Sequence, residues 1–207
     1  MAGRTQHRSL QTFHKIVDSA RALAEERGYG GVCTEDVARL AGVAKGTVFA
    51  HFGDKAGLLT ALLVEELRRL TDRGDTLESS QVPTDPILAL LDSVMPFLEL
   101  LARERTIVDL YLRRTGITDS SCFPGLIREL ERLQCGLLRQ IEQRRERGQI
   151  RGDVECSILV EGIVAFVTQA ALRRQCGEIP SAAAQRAVLE QQFSAWLLAP
   201  RRRESAC

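Results

Sequence analysis

An all-α fold is predicted by three observations on this chain of 207 residues. Beyond residue 10, apolar residues recur three and four positions apart almost throughout, the spacing of one helix face. No segment gives a strand signal, and no internal repeat is present. Gly28, Gly42 and Gly148 close periodic runs and Pro86 opens one, as helix ends require. Together these predict about nine helices: a three-helix N-terminal head carrying a helix-turn-helix, followed by a helical body.

The first helix is expected over residues 11–27, with Phe13, Ile16, Val17, Ala20 and Leu23 or Ala24 inward and Gly28 ending it. Ahead of it, Arg4 and Arg8 would lie on a floppy arm, either a minor-groove contact or simply a basic N-terminus. Residues 34–58 read TEDVARLAGVAKGTVFAHFGDKAGL. Thr34 is a good N-cap, and Glu35 and Asp36 sit where the helix dipole favours negative charge. Val37, Ala38, Leu40 and Ala41 form an apolar face. Gly42 suits the left-handed residue that ends a helix, and Val43 anchors the turn. In the next helix, residues 44–52, Val48 and Phe52 share one face while Lys45, Gly46, Thr47, Phe49, Ala50 and His51 share the other. A short second helix with a small, polar and basic outer face suits a DNA major groove.

Asp54 caps a fourth helix from residue 55 to 71 or beyond, with Leu58, Leu59, Leu62, Leu63 and Leu67 inward. Residues 76–85 are polar and read as a flexible connection. Pro86 starts a fifth helix to about residue 103, and Pro96 inside it predicts a kink. Residues 104–115 suggest a short sixth helix and 115–124 a loop. The seventh, 125–147, would turn Leu126, Leu130, Leu133, Leu137, Leu138 and Ile141 inward. Its Arg144, Arg145 and Arg147 complement the C-terminal dipole. Residues 154–175 form an eighth helix, apolar nearly all round, and 181–198 a ninth bearing Leu189, Phe193, Trp196 and Leu197. The organisation expected is a head over residues 1–55, a helical body over 56–199, and a disordered tail over 200–207.

Charges nearly balance, 28 basic against 27 acidic, so nucleic-acid binding would have to come from local placement. The six cysteines form no C-x-x-C pair and His7, His14 and His51 all lie near the N-terminus, so neither a metal site nor a disulfide scaffold is expected. No cofactor is implied. No apolar run approaches the ~20 residues that span a bilayer; the longest, 158–172, is broken by Glu161, Gly162, Thr168 and Gln169. A soluble, cytoplasmic protein with no membrane partner is expected. Nucleotide-binding and nucleophile motifs are absent and no carboxylate pair has catalytic spacing, which argues against an enzyme.

Residues 16–31, IVDSARALAEERGYGG, and 33–59, CTEDVARLAGVAKGTVFAHFGDKAGLL, carry a wider pattern. The stretch from about Phe13 to Leu59 resembles the DNA-binding domain of the TetR family of bacterial transcriptional regulators. Phe49 and Ala50 depart from it: members often have tyrosine at the first and a bulky or polar residue at the second. With the resemblance, Lys45 and Thr47 are expected to reach base edges or nearby phosphates, and Lys55 a phosphate. Gly46, Phe49 and His51 complete that face, and Thr34 is expected to help hold a phosphate at the helix 2 N-terminus.

The resemblance also implies a homodimer that pairs its last two helices with the partner's, through Val160, Val164, Val167, Leu189, Phe193 and Trp196. It implies a small-molecule effector site in the body, for which Phe97, Tyr111, Phe123, Glu161 and Phe166 are candidates. Glu161 would either meet a cationic ligand or pair with an arginine. The expected activity is repression at a palindromic double-stranded DNA operator, relieved by the ligand. Activation, and a body that organises DNA or recruits a protein without a small ligand, remain alternatives.

Overall fold

The structure is a computed structural model, described for residues 2–77, 85–114 and 123–198. These residues form α1 (Ala2–Arg27), α2 (Thr34–Ala41), α3 (Lys45–Phe52), α4 (Lys55–Leu77) and α5 (Pro86–Arg103). They continue as α6 (Arg105–Arg114), α7 (Pro124–Glu146), α8 (Cys156–Gln175) and α9 (Ala182–Leu197), with no strand among them. The all-α expectation holds. They divide into two compact units, Met1–Arg69 with Glu104–Glu129, and Leu70–Arg103 with Leu130–Cys207. Most of the 76–85 connection and the 115–124 loop, and all of the 200–207 tail, lie outside the described residues.

In the first unit α1 packs on α2 and α2 on α3. Ile16, Val17, Ala20 and Leu23 of α1 are buried, as are Val37 and Ala38 of α2, Val48 of α3 and the five α4 leucines named above. Arg21 Nε donates to Glu66 at 2.8 Å, joining α1 to α4. Two expectations fail here. Helix α1 starts at Ala2 rather than near residue 11, so Arg8 belongs to a helix and not to an arm ahead of one. The run 2–27 contains no proline to stop it. Leu40 is 57% exposed and Ala41 takes its place inward, because one apolar stripe of an eight-residue helix has no room for both.

In the second unit α5, α8 and α9 pack against one another. Asp85 caps α5, accepting the Ile87 amide at 2.8 Å, and Ser181 caps α9, accepting from Ala184 at 3.1 Å. Phe193, Leu159, Ile163 and Leu189 are fully buried; each such side chain contributes roughly 1.5–3 kcal/mol relative to exposure. Trp196 lies directly over Gly162, where an added Cβ would meet the indole at 2.4 Å, and its Nε1 donates to Leu159 O at 3.2 Å. Gln185 is fully buried yet satisfied: it accepts from Arg174 at 3.1 Å and donates to Ala170 O at 3.0 Å. By length and composition α8 is apolar enough to cross a membrane, contrary to the sequence reading. Packed core helices pass the same test, and Leu159, Ile163, Val167, Ala170 and Ala171 are buried in the unit.

The expected stripe of α7 is buried only at Leu126 and Ile141; Leu130, Leu133, Leu137 and Leu138 are half-buried. Arg144, expected to complement the C-terminal dipole, is buried, with Nη1 donating to Gln140 O at 3.0 Å.

Candidate nucleic-acid interface

The reading face is built by one turn. The Gly42 amide donates to Arg39 O at 3.3 Å and the Val43 amide to Ala38 O at 3.0 Å, the paired bonds of a Schellman stop. Gly42 has φ +66°, a conformation in which a side chain would be strained. The chain then re-enters a helix at Lys45 after extended Ala44, which offers no side-chain cap. The Thr47 amide in the first turn of α3 donates to the backbone Ala44 O at 2.9 Å instead. Val48 points into the core, which turns Lys45, Gly46, Phe49 and Ala50 out to solvent and leaves Thr47 and His51 half-buried. His51 lies beside Phe13 and Phe52, with ring centroids 6.5 and 5.9 Å away. Asp54 caps α4, accepting the Gly57 amide at 2.6 Å.

Both cations of this face are engaged within the protein. Lys45 Nζ donates to Glu35 Oε1 and lies 5.6 Å from the centroid of the Phe49 ring. Lys55 Nζ donates to Gly30 O at 2.9 Å. Glu35 also accepts from the Cys33 thiol at 2.7 Å and the Thr34 hydroxyl at 3.1 Å. The Cys33 thiol, Lys45, its own backbone amide and Thr34 together hold the Glu35 carboxyl at about 2. Lys45 is correspondingly raised, chiefly by its hydrogen bond to Glu35. Asp36 is lowered, first by Arg39 and also by Arg27.

Thr34 departs from expectation. Cys33, in extended conformation, is the N-cap of α2; Thr34 belongs to its first turn, 8% exposed, with its hydroxyl turned to Glu35. Two residues outside the sequence-derived set matter to this face. Glu35 was legible only as a dipole partner; its place beside Lys45 follows from the α2–α3 turn, which brings the two helix starts together. Glu104, just before α6, accepts the Tyr29 amide at 2.7 Å and the Gly30 amide at 3.3 Å, and so holds the turn whose carbonyl takes Lys55. A lone glutamate some seventy residues away in sequence gives no local signal of that contact.

The candidate pocket residues divide between the units. Tyr111 is buried in the first, and Phe123 there lines a recess of about 150 Å³ with Phe13, His51, Phe52, Val64 and Glu65. That is small against the roughly 300–1,000 Å³ of ordinary ligand pockets. Phe97 and Phe166 are half-buried in the second unit, and Phe166 stands edge-on to Trp196 at 6.0 Å. Glu161 is exposed rather than sunk in an apolar run. Of the expected interface residues, Val160, Val167, Leu189 and Phe193 are buried within the unit and Val164 and Trp196 half-buried. Residues of an all-apolar helix face inward wherever its own neighbours pack. The apolar residues left outward are Ile158, Ala165 and Leu172 on α8 and Ala183, Ala187, Ala195 and Leu198 at α9. Among the described residues no group of three or more metal-ligand side chains comes together.

A helix-turn-helix with a small, basic outer face, among described residues that form no strand, is the arrangement that suits a DNA major groove. The family model for bacterial regulatory proteins of the tetR family matches residues 16–62. The transcriptional regulator TtgR of Pseudomonas putida is 29% identical over 172 residues, 81% of each chain. A probable acrEF/envCD operon repressor of Escherichia coli is 21% identical, across 86% of this chain and 83% of its own. The fold matches FadR of Bacillus subtilis, solved with stearoyl-CoA, at TM-score 0.66 and 18% identity, covering 88% of this chain and 98% of that one. RolR, solved with resorcinol, matches at TM-score 0.67 and 17% identity, covering 92% and 90%. Residues 16–62 therefore match the model of the TetR family of bacterial regulators, and over most of its length the chain is similar to transcriptional regulators.

Proposed function

We propose that this protein is a homodimeric repressor that reads a two-fold symmetric operator and is released by a small molecule. The observation that carries the reading is the outward face of α3, where Lys45, Gly46 and Phe49 stand clear of the core on a helix fixed by the Gly42 stop. Residues 1–55 act as the reader and 56–199 as the regulatory and dimerisation body, in the cytoplasm and without catalytic activity. Lys45 and Thr47 address bases or adjacent phosphates, Lys55 a phosphate, and Gly46 lets the backbone approach closely. Phe49 and His51 contribute contact surface, and Thr34 serves through the α2 amides beside it, since its hydroxyl is turned to Glu35.

One recognition helix reads only a few base pairs, so affinity and specificity come from two half-sites held about 34 Å apart by a dimer. The exposed apolar residues of α8 and α9, not the buried set, form the self-complementary surface. A ligand that prefers a different body shape alters the separation of the two readers, by no more than its differential affinity for the two shapes. FadR and RolR were solved with chemically unlike ligands, so the effector here is a small molecule of unassigned class. Selection of bound duplexes from a random DNA pool tests the reading. An enriched palindrome with half-sites one helical turn apart is expected; a folded dimer that enriches nothing overturns it.

A further inference from the structure

Lys45 is the one cation at the start of the reading helix, and it is held from both sides. Its ammonium is bonded to Glu35 in the first turn of α2 and rests near the ring of Phe49, one turn further along α3. Glu35 and Lys45 are each about half exposed, at 54% and 52%, so both reach solvent beside the outward residues of α3. The same division recurs beside them: Asp36 holds Arg27 at 2.9 Å and Arg39. Residues 1–55 carry eight basic and six acidic side chains, so the net positive charge of this segment is small. An acidic group on such a face repels phosphate and weakens every DNA complex. A device that serves only affinity would not place it there.

We propose that Glu35 is a specificity-determining residue of the DNA reader: by holding Lys45 it withholds that charge from non-cognate phosphates and directs the ammonium along the α3 face to one base step or phosphate. The proposal rests on the DNA-reading assignment above. On arbitrary DNA, Lys45 gains one phosphate and loses one carboxylate, and Glu35 is left against the backbone, so little affinity results. On the cognate half-site the neighbouring contacts of α3 seat the helix closely enough for the fixed ammonium to meet its acceptor without leaving Glu35. The carboxylate, held near 2, stays ionised throughout the pH range in which DNA binding is measured.

The test compares wild type, Glu35→Gln, Glu35→Asp and Lys45→Ala, with the double variant Glu35→Gln/Lys45→Ala. Each is titrated with a duplex selected by the wild-type protein and with a scrambled duplex of equal length, over a salt series. Glu35→Gln is expected to bind the scrambled duplex about three- to fivefold more tightly, the scale of one exposed ion pair, and to lose that much specificity ratio. Its salt slope on scrambled DNA should steepen by about 0.9 per subunit, the counterion of one released lysine. Glu35→Asp keeps the charge but shortens the reach, and should lose specificity as well. In the Lys45→Ala background the substitution should do neither. An unchanged ratio and slope in Glu35→Gln overturns the proposal, as does an effect that persists without Lys45, which would reduce Glu35 to a simple repulsive charge. If the wild type binds the two duplexes equally and without salt dependence, the DNA-reading assignment itself falls, and this inference with it.

Discussion

Glu104 shows how much one side chain can organise. Its carboxylate takes two amides of the turn between α1 and α2, and Lys55 takes the carbonyl of Gly30 from the other side. Replacing it by alanine leaves the partly buried Tyr29 amide without its acceptor, which is expected to cost about 1–3 kcal/mol in urea unfolding. Faster hydrogen exchange at Tyr29 and Gly30 should accompany that loss; unchanged exchange would mean that water replaces the carboxylate. Glu35 gives a pH signature. Its folded-state value is about 2 against an ordinary 4.5, so its stabilising contribution is complete above 4.5 and is lost as pH falls towards 2. A carboxyl titration by NMR should place its midpoint near 2 in the wild type and markedly higher in Lys45→Ala. Neither Glu104 nor Glu35 announced its role in the sequence, because the Tyr29 and Gly30 amides and the Lys45 ammonium are brought to them only by folding.

At the scale of elements, α8 and α9 meet through the Trp196 indole over Gly162. A methyl group there cannot fit beside a rigid ring, so Gly162→Ala should lower stability by about 1–3 kcal/mol. Trp196 is the chain's only tryptophan, so its fluorescence reports the same event: a red shift is expected as the ring leaves its seat. An unchanged spectrum would show that α9 shifts as a body instead. Element boundaries were legible where a local conformation demands a residue. Gly42 stops α2 and Asp54 starts α4 as expected, since a left-handed stop and a cap are decided within a few positions. The start of α1 was not, because nothing in its first ten residues forbids either a helix or an arm.

For the whole molecule, dimerisation and salt dependence are linked. Two readers release counterions together, so log affinity for a selected duplex should fall linearly with log salt, with a slope near 0.9 per phosphate contact. A flat response would exclude the proposed DNA mode. Ile158→Arg and Leu172→Arg change residues that are 45% and 36% exposed, so the fold of the subunit should survive both. Light scattering should then report a monomer, with operator binding greatly weakened. A dimer that persists would move the interface elsewhere.

Helical periodicity, the Gly42 turn and the order of the reader's helices were determined by the sequence alone, because each depends on neighbours within a turn or two. The outward placement of Lys45, Gly46, Phe49 and Ala50 on α3 was also readable, since Val48 fixes the opposite face, whereas the half-burial of Thr47 and His51 was not. Only tertiary structure decided which way α8 and α9 face. A helix apolar all round carries no directional signal, and packing with α5 drew Val160, Val167, Leu189 and Phe193 inward while leaving Ile158 and Leu172 outside. It likewise decided that Lys45 is paired with Glu35. Two charges ten positions apart are unrelated along the chain and become neighbours only when the turn folds one helix start against the other.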